Sequence, residues 1–278
     1  MASTAGGDLP RDWVVTHVMD GLARRQHILF VAGLPGVGKS LLLQHTARMA
    51  RAADRRVFLL QWDVVRRAFE TDAILARYPE VDGFTHAGIK RAAGLWARQA
   101  VLAWFDHFDS NDLLLGETPL VGGRLMELAR PEADAVEPLL SSGTVRFVLP
   151  VPSREVRALI ETTRERTIAS PAHERERDDA PPSVLRALWE DVYREGRSAG
   201  LVADTPATGR VPYDPGAYKA VYASWLRHRQ TSILNIDRRV QQTGSVYDMD
   251  AVAGELVPTP EQVAQVMRLI DAAEGPSS

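Results

Sequence analysis

The sequence predicts an α/β fold: a three-layer domain around a parallel five-stranded sheet, with a helical insertion and a short charged loop. Three observations carry this. Short apolar runs recur along the chain, the segments between them have helical periodicity, and the first run leads straight into a glycine-rich turn and a helical pattern. Apolar runs of this length, separated by helices, are how a sheet covered on both faces reads.

Residues 27–32 (HILFVA) form the first expected strand, 33–38 a turn, and 39–52 a helix. The second strand is 56–61 (RVFLLQ) and the third 112–115 (DLLL), with a helical subdomain inserted at 66–110 whose main helix is 88–106. Gly122 and Gly123 suggest either a turn before a helix at Arg124 or a place where backbone closely approaches a bound molecule. The fourth strand is 145–151 (VRFVLPV), followed by a helix over 153–166. A charged, proline-bounded stretch, 171–182 (PAHERERDDAPP), then marks a lid at 164–183, and Ser183 is placed to cap the next helix. A fifth strand, 231–236 (TSILNI), precedes a closing helix over 259–273 that carries Thr259 as its cap and Pro260 at its first position. Residues 1–278 read as one domain holding the insertion and the lid.

Composition narrows the chemistry. With 45% apolar residues in 278, the chain has enough material for a sizeable core, which excludes disorder. The absence of cysteine excludes disulfides, zinc-thiolate sites and thiol nucleophiles. A net charge of -3 disfavours bulk electrostatic capture of nucleic acid, although a local basic groove would still permit it. No run approaches the roughly 20 apolar residues of a membrane helix, and the first residues lack an apolar export segment, so a cytoplasmic protein without membrane attachment is expected.

Residues 33–40 read GLPGVGKS and fit G-x-x-x-x-G-K-[ST] between a predicted strand and a predicted helix. Gly33, Gly36 and Gly38 would let backbone N–H groups turn inward on an anion, with Lys39, Ser40 and Leu41 completing the nucleotide-binding set. Lys39 would bridge the β- and γ-phosphates of ATP, and the Ser40 hydroxyl would ligate Mg2+. Asp63 falls at the carboxyl end of the second strand, where ligands of open α/β sheets bind. It would act as a base toward an acceptor hydroxyl, hold a magnesium water, or cap the next helix. Arg66, one turn on, would grip an anionic acceptor, whereas Arg67 is expected in solvent. Glu117 is the nearest acid for the magnesium shell after the third strand, and the lid arginines Arg164, Arg166, Arg175 and Arg177 would fold over the γ-phosphate or remain a solvated, self-paired loop. Trp96 and Trp104 read as core. Tyr78, Phe84 and His86 would line an acceptor pocket, and 106–109 (DHFD) reads as caps and surface rather than a metal cluster.

In this order the motifs resemble a P-loop kinase of the nucleoside monophosphate kinase (adenylate kinase-like) type, over residues 27–272, which implies a sheet order of 2-3-1-4-5 with a P-loop, a helical acceptor insertion and a short lid. Asp63-Val64-Val65-Arg66 is similar to the family's D-L-L-R, whose arginine binds the acceptor phosphate, and the resemblance implies that role for Arg66. Residues 147–166 resemble the family's fourth strand and lid-leading helix, 175–179 (RERDD) its short lid, and 221–237 its aromatic helix and final strand. The family's D-G-F-P-R is here Gly116-Glu117-Thr118-Pro119-Leu120, so one phosphate-gripping arginine is missing unless Arg124 replaces it. The expected function is transfer of the γ-phosphoryl group of ATP to a nucleotide, nucleoside or related hydroxyl acceptor. The alternatives are a kinase acting on a modified base in nucleic acid, or a P-loop ATPase without a small acceptor.

Overall fold

The computed structural model describes residues 9–81, 83–170, 180–203, 210–240, 245 and 252–274. A helix that the strand pattern leaves out, α1 (Val14–Arg25), comes first, with Val15, Met19 and Ala23 buried at four-residue spacing. Next come β1 (Ile28–Ala32), α2 (Lys39–Arg51), β2 (Val57–Gln61), α3 (Trp62–Phe69), the single turn α4 (Asp72–Leu75) and α5 (Ala87–His107). β3 (Leu113–Thr118) leads into two 3-10 turns, Val121–Gly123 and Met126–Leu128, and into α6 (Glu137–Leu140). β4 (Val145–Pro152), α7 (Arg154–Ala169), α8 (Pro182–Ser198), α9 (Pro215–Trp225), β5 (Thr231–Ile236), β6 (Gly254–Glu255) and α10 (Pro260–Glu274) complete the described chain.

All strand pairs are parallel, in the order β6-β2-β3-β1-β4-β5. The five-stranded sheet expected from the sequence is thus corrected to six, because Gly254 and Glu255 add an edge strand beside Phe58 and Leu59. Alternation within the strands divides the core. Ile28, Phe30 and Ala32 of β1 join the cluster under α5, α8, α9 and α10, while Leu29 and Val31 join the one under α1 and α2. Two neighbours in β1 therefore serve opposite layers. The helices of the 66–110 stretch share the first cluster, through Val65, Phe69, Ile89 and Trp96.

β3 is longer than the expected 112–115, since Gly116, Glu117 and Thr118 pair with β1 on one side and Gly116 and Glu117 with β2 on the other. Gly116 is required there because the Phe30 ring fills the space that a Cβ would take. The helix expected at Arg124 is absent, and 3-10 turns stand in its place. Leu120 (φ 61°) and Leu125 (φ 56°), both buried, take left-handed backbone that interrupts any helix. Two buried guanidiniums pin the stretch from Glu127 to Glu137. Arg98 donates to both oxygens of Asp134 (2.8 and 2.6 Å), to Glu137 (3.0 Å) and to the Glu127 carbonyl (2.6 Å). Arg229 donates to Glu137 (2.6 and 3.0 Å) and to the carbonyls of Leu128 and Arg130.

Glu127 sits beside this network with its side chain packed where Gly94 of α5 leaves room, and its Oε2 has no hydrogen-bond partner. Burial pushes its carboxyl up to about 7 from an ordinary value of 4.5. Between those values the folded protein keeps a proton that the unfolded chain releases, so stability falls as pH rises through that window. The loss should be of the order of 3 kcal/mol. Urea unfolding at pH 4.5 and pH 8 should show this loss in the parent protein and a much flatter response in Glu127→Gln. Equal pH dependence in the two would mean that Glu127 is ionised in the fold.

Ser153 accepts from the Val156 N–H and caps α7, and Thr259 and Gln262 cap α10 reciprocally. α8 instead begins at Pro182, with Pro181 in the capping position rather than Ser183. Among the described residues no helix is long and apolar enough to cross a membrane.

Candidate functional site

The cleft opens at the carboxyl ends of β1, β2 and β3, where the sheet hands the chain to α2, α3 and the turns after Thr118. Its volume is about 910 Å³. The glycine-rich loop forms its floor. Gly33, Gly36 and Gly38 all have positive φ (140°, 76° and 91°), a conformation that residues with a Cβ adopt only under strain. Each faces something different. A Cβ on Gly33 would run into the Tyr218 hydroxyl and Val37, and one on Gly36 would press on Ile160 and Leu185, but one on Gly38 would meet nothing within 4 Å. Gly38 is also the N-cap of α2 and offers no side chain to it. The first N–H groups of that helix are left with no partner inside it.

Lys39, the first residue of α2, is only 4% exposed, and its Nζ donates to the Leu34 carbonyl at 2.9 Å and pairs with Glu117 Oε1 at 3.1 Å. Burial lowers its ammonium from the ordinary lysine range, while Glu117 opposes that shift. Ser40 and Leu41 line the cleft beside it. Thus Gly36, Gly38, Lys39, Ser40 and Leu41 border one space with Asp63, Arg66, Glu117 and Arg124, while Gly33 is backed by Tyr218. No family model and no curated protein matches this chain.

Asp63 is the second residue of α3 and its side chain is 68% exposed, open to the cleft. Crowding by protein raises its carboxyl above the usual range, and the neighbouring Glu117 adds to that against Arg66, Arg67 and Lys39. Arg66 is already engaged. Its Nη1 reaches both oxygens of Glu70 (2.8 and 2.6 Å) and its Nε lies 3.6 Å from Asp63. Arg67 is exposed at the cleft wall. Arg124 donates to the Val121 carbonyl at 3.2 Å, and burial lowers its guanidinium while Asp63 opposes.

Arg164 lines the opposite wall and lies near enough to Lys39 to disfavour its charge, whereas Arg166 is exposed at the end of α7. Arg175 and Arg177 lie outside the described residues. Phe84 and Thr85 line the cleft, but Tyr78 turns to Asp271 (2.7 Å), and His86 caps α5 through the Gly88 N–H. Trp96 and Trp104 are core residues. His107 bonds back to the Ala103 carbonyl, and among the described residues no group of three His, Asp or Glu is gathered for a metal.

Two supporting residues escape the sequence reading. Arg157 is 1% exposed and holds three parts together, donating to the Pro35 carbonyl of the loop (2.9 Å), to the Leu185 carbonyl of α8 (3.2 Å) and to Glu161 (3.1 Å). Tyr222 donates to the Pro119 carbonyl at 2.8 Å, fixing the chain where it leaves β3. The i, i+4 spacing of Tyr218 and Tyr222 was the available signal, since it puts both rings on the loop-facing side of α9. Arg157 gave none, because an arginine in an amphipathic helix reads as solvated.

Proposed function

We propose that this chain is an ATP- and Mg2+-dependent phosphotransferase, a P-loop kinase similar in layout to the nucleoside monophosphate kinases, acting on a small acceptor. One observation carries the reading. Lys39 stands buried at the uncapped start of a thirteen-residue helix, behind a loop of positive-φ glycines, at the floor of a cleft of about 910 Å³. Unpartnered N–H groups at a helix start, aided by the helix dipole, gather phosphate oxygens, and a lysine at that point supplies the balancing charge.

Lys39 would exchange the Leu34 carbonyl for the β- and γ-phosphates, and the Ser40 hydroxyl and Glu117 carboxylate are hard oxygen donors of the kind Mg2+ takes. Phosphate oxygens and water supply most of such a shell, so two protein donors suffice and a three-carboxylate cluster is unnecessary. Bound there, Mg2+ would offset the charge of the triphosphate. Arg164 would add charge near the transferred group, and Trp13, Ile236 and Val240 give the far end of the cleft an apolar lining suited to a base.

Calorimetric titration with ATP should give saturable binding that tightens when Mg2+ is added, and label from γ-32P ATP should move to a small molecule. An ATP titration without heat, together with neither transfer nor hydrolysis, would end this reading.

A further inference from the structure

Resting on the kinase reading, we infer that the phosphoryl donor is a guanine nucleotide ahead of ATP, and that Arg238 reads the base. Sheet order separates the two ends of the cleft. The loop after β1 lies midway, with the end of β2 on one side and the end of β5 on the other, four strand spacings or about 19 Å apart. The lining carboxylates Asp63, Glu80 and Glu117, and the amide of Gln61, all come from the chain between the end of β2 and the end of β3. Around the end of β5 the lining is different. Trp13, Ile236 and Val240 give it apolar surface, and the charged side chains there are Arg238 and Arg239. With the acceptor on the β2 side, a nucleotide whose phosphates lie on the loop presents its base to hydrogen-bond donors.

Arg238 is built into place. Its guanidinium carbon stands 5.8 Å from the centre of the Trp13 ring, its Nη1 donates to Asp12 at 3.3 Å, and its Nε lies 3.7 Å from Asp237. Trp13 Nε1 donates to the same Asp237 oxygen at 2.9 Å, so the start of α1 and the turn after β5 close together around the arginine. Only 4% of Trp13 is exposed, so the indole backs the guanidinium rather than offering a face for stacking. Asp12 and Asp237 do not line the cleft, and they offset the charge of Arg238 without using all five of its donors. A neutralised fork with N–H groups to spare suits the edge of a neutral base better than a further phosphate. Guanine offers such a fork two acceptors, O6 and N7, whereas adenine sets its N6 amino donor where O6 would be. Contacts to the triphosphate are the same for both, so ATP still binds, more weakly.

Calorimetric titration of the parent protein with GTP and with ATP, each with Mg2+, should show GTP binding tighter by about 5- to 150-fold, the worth of one good bidentate pair to the right base. Inosine triphosphate, which keeps O6 and N7 and lacks the 2-amino group, should match GTP. In 7-deaza-GTP a C–H replaces N7, and its affinity should fall toward that of ATP. Arg238→Lys keeps the charge and loses the fork. With folding checked by thermal melting, its GTP affinity should drop toward that for ATP while its ATP affinity stays close to parental. That pattern supports the inference. ATP binding as tightly as GTP, 7-deaza-GTP matching GTP, inosine triphosphate binding no better than ATP, or the GTP preference surviving in a folded Arg238→Lys overturns it while leaving the kinase reading standing. Should Arg238→Lys fail to fold, the two analogues decide on the parent protein alone. Binding of neither GTP nor ATP removes the kinase reading itself, and the inference with it.

Discussion

Replacing Lys39 with alanine should lower ATP turnover by at least about two orders of magnitude. The lysine is buried with one carboxylate and one carbonyl as partners, so its charge is held at the cleft floor rather than free in solvent. A held charge needs little rearrangement when phosphate arrives, and that preorganisation is what makes it effective as charge spreads over the transferred group. Removing it also leaves Glu117 facing the phosphates without its neutralising partner. Lys39→Ala should therefore weaken ATP binding as well as turnover, whereas Lys39→Arg should retain charge and lose position. Steady-state kinetics with circular dichroism as a check on folding would decide it. Parental turnover in a folded Lys39→Ala would be incompatible with the phosphotransferase reading.

Arg98→Ala should cost about 3 to 5 kcal/mol of folding stability, the range for breaking a buried ion pair by deleting one partner. Its guanidinium satisfies two carboxylates and two backbone carbonyls from a side chain that is almost wholly buried, and it holds the Asp134 carboxyl below the ordinary range. Without it the Glu127 carbonyl loses its arginine donor, while the Leu128 carbonyl keeps that of Arg229. A loss of that size is a large part of the roughly 5 to 15 kcal/mol that a domain usually has. Urea titration would measure it, and a loss under about 1 kcal/mol would mean that the network contributes no net stability.

The parts of the fold legible in the sequence were those set by local pattern. β1, the loop and α2 were readable because a buried apolar run, small residues and a helical period succeed each other without ambiguity. β3 was cut short in the reading because Gly116 and Glu117 have little intrinsic strand preference, and they are extended because β1 and β2 pair with them on both sides. β6 has two residues and is defined wholly by Phe58 and Leu59 across the ladder. The helix expected at Arg124 failed for a related reason, since the carbonyls of Glu127, Leu128 and Arg130 are taken by arginines from α5 and from just before β5. In the cleft, residue types at strand ends pointed to Asp63 and Glu117. That Arg66 is held by Glu70 was within reach of the sequence, since the two stand four residues apart at the end of one helix, but the reading gave Glu70 no role.

The three positive-φ glycines of the loop are kept for different reasons, and that changes what the motif is worth as information. Gly33 is demanded by the Tyr218 hydroxyl and Val37, so folding alone would purge substitutions there whatever the cleft holds, whereas a Cβ at Gly36 would meet Ile160 and Leu185 only as close neighbours. Gly38 faces open space and is limited only by its backbone angle. In a set of related sequences, retention of Gly33 would thus record descent and foldability, whereas retention of Ser40, whose side chain borders the cleft, would record what the cleft holds.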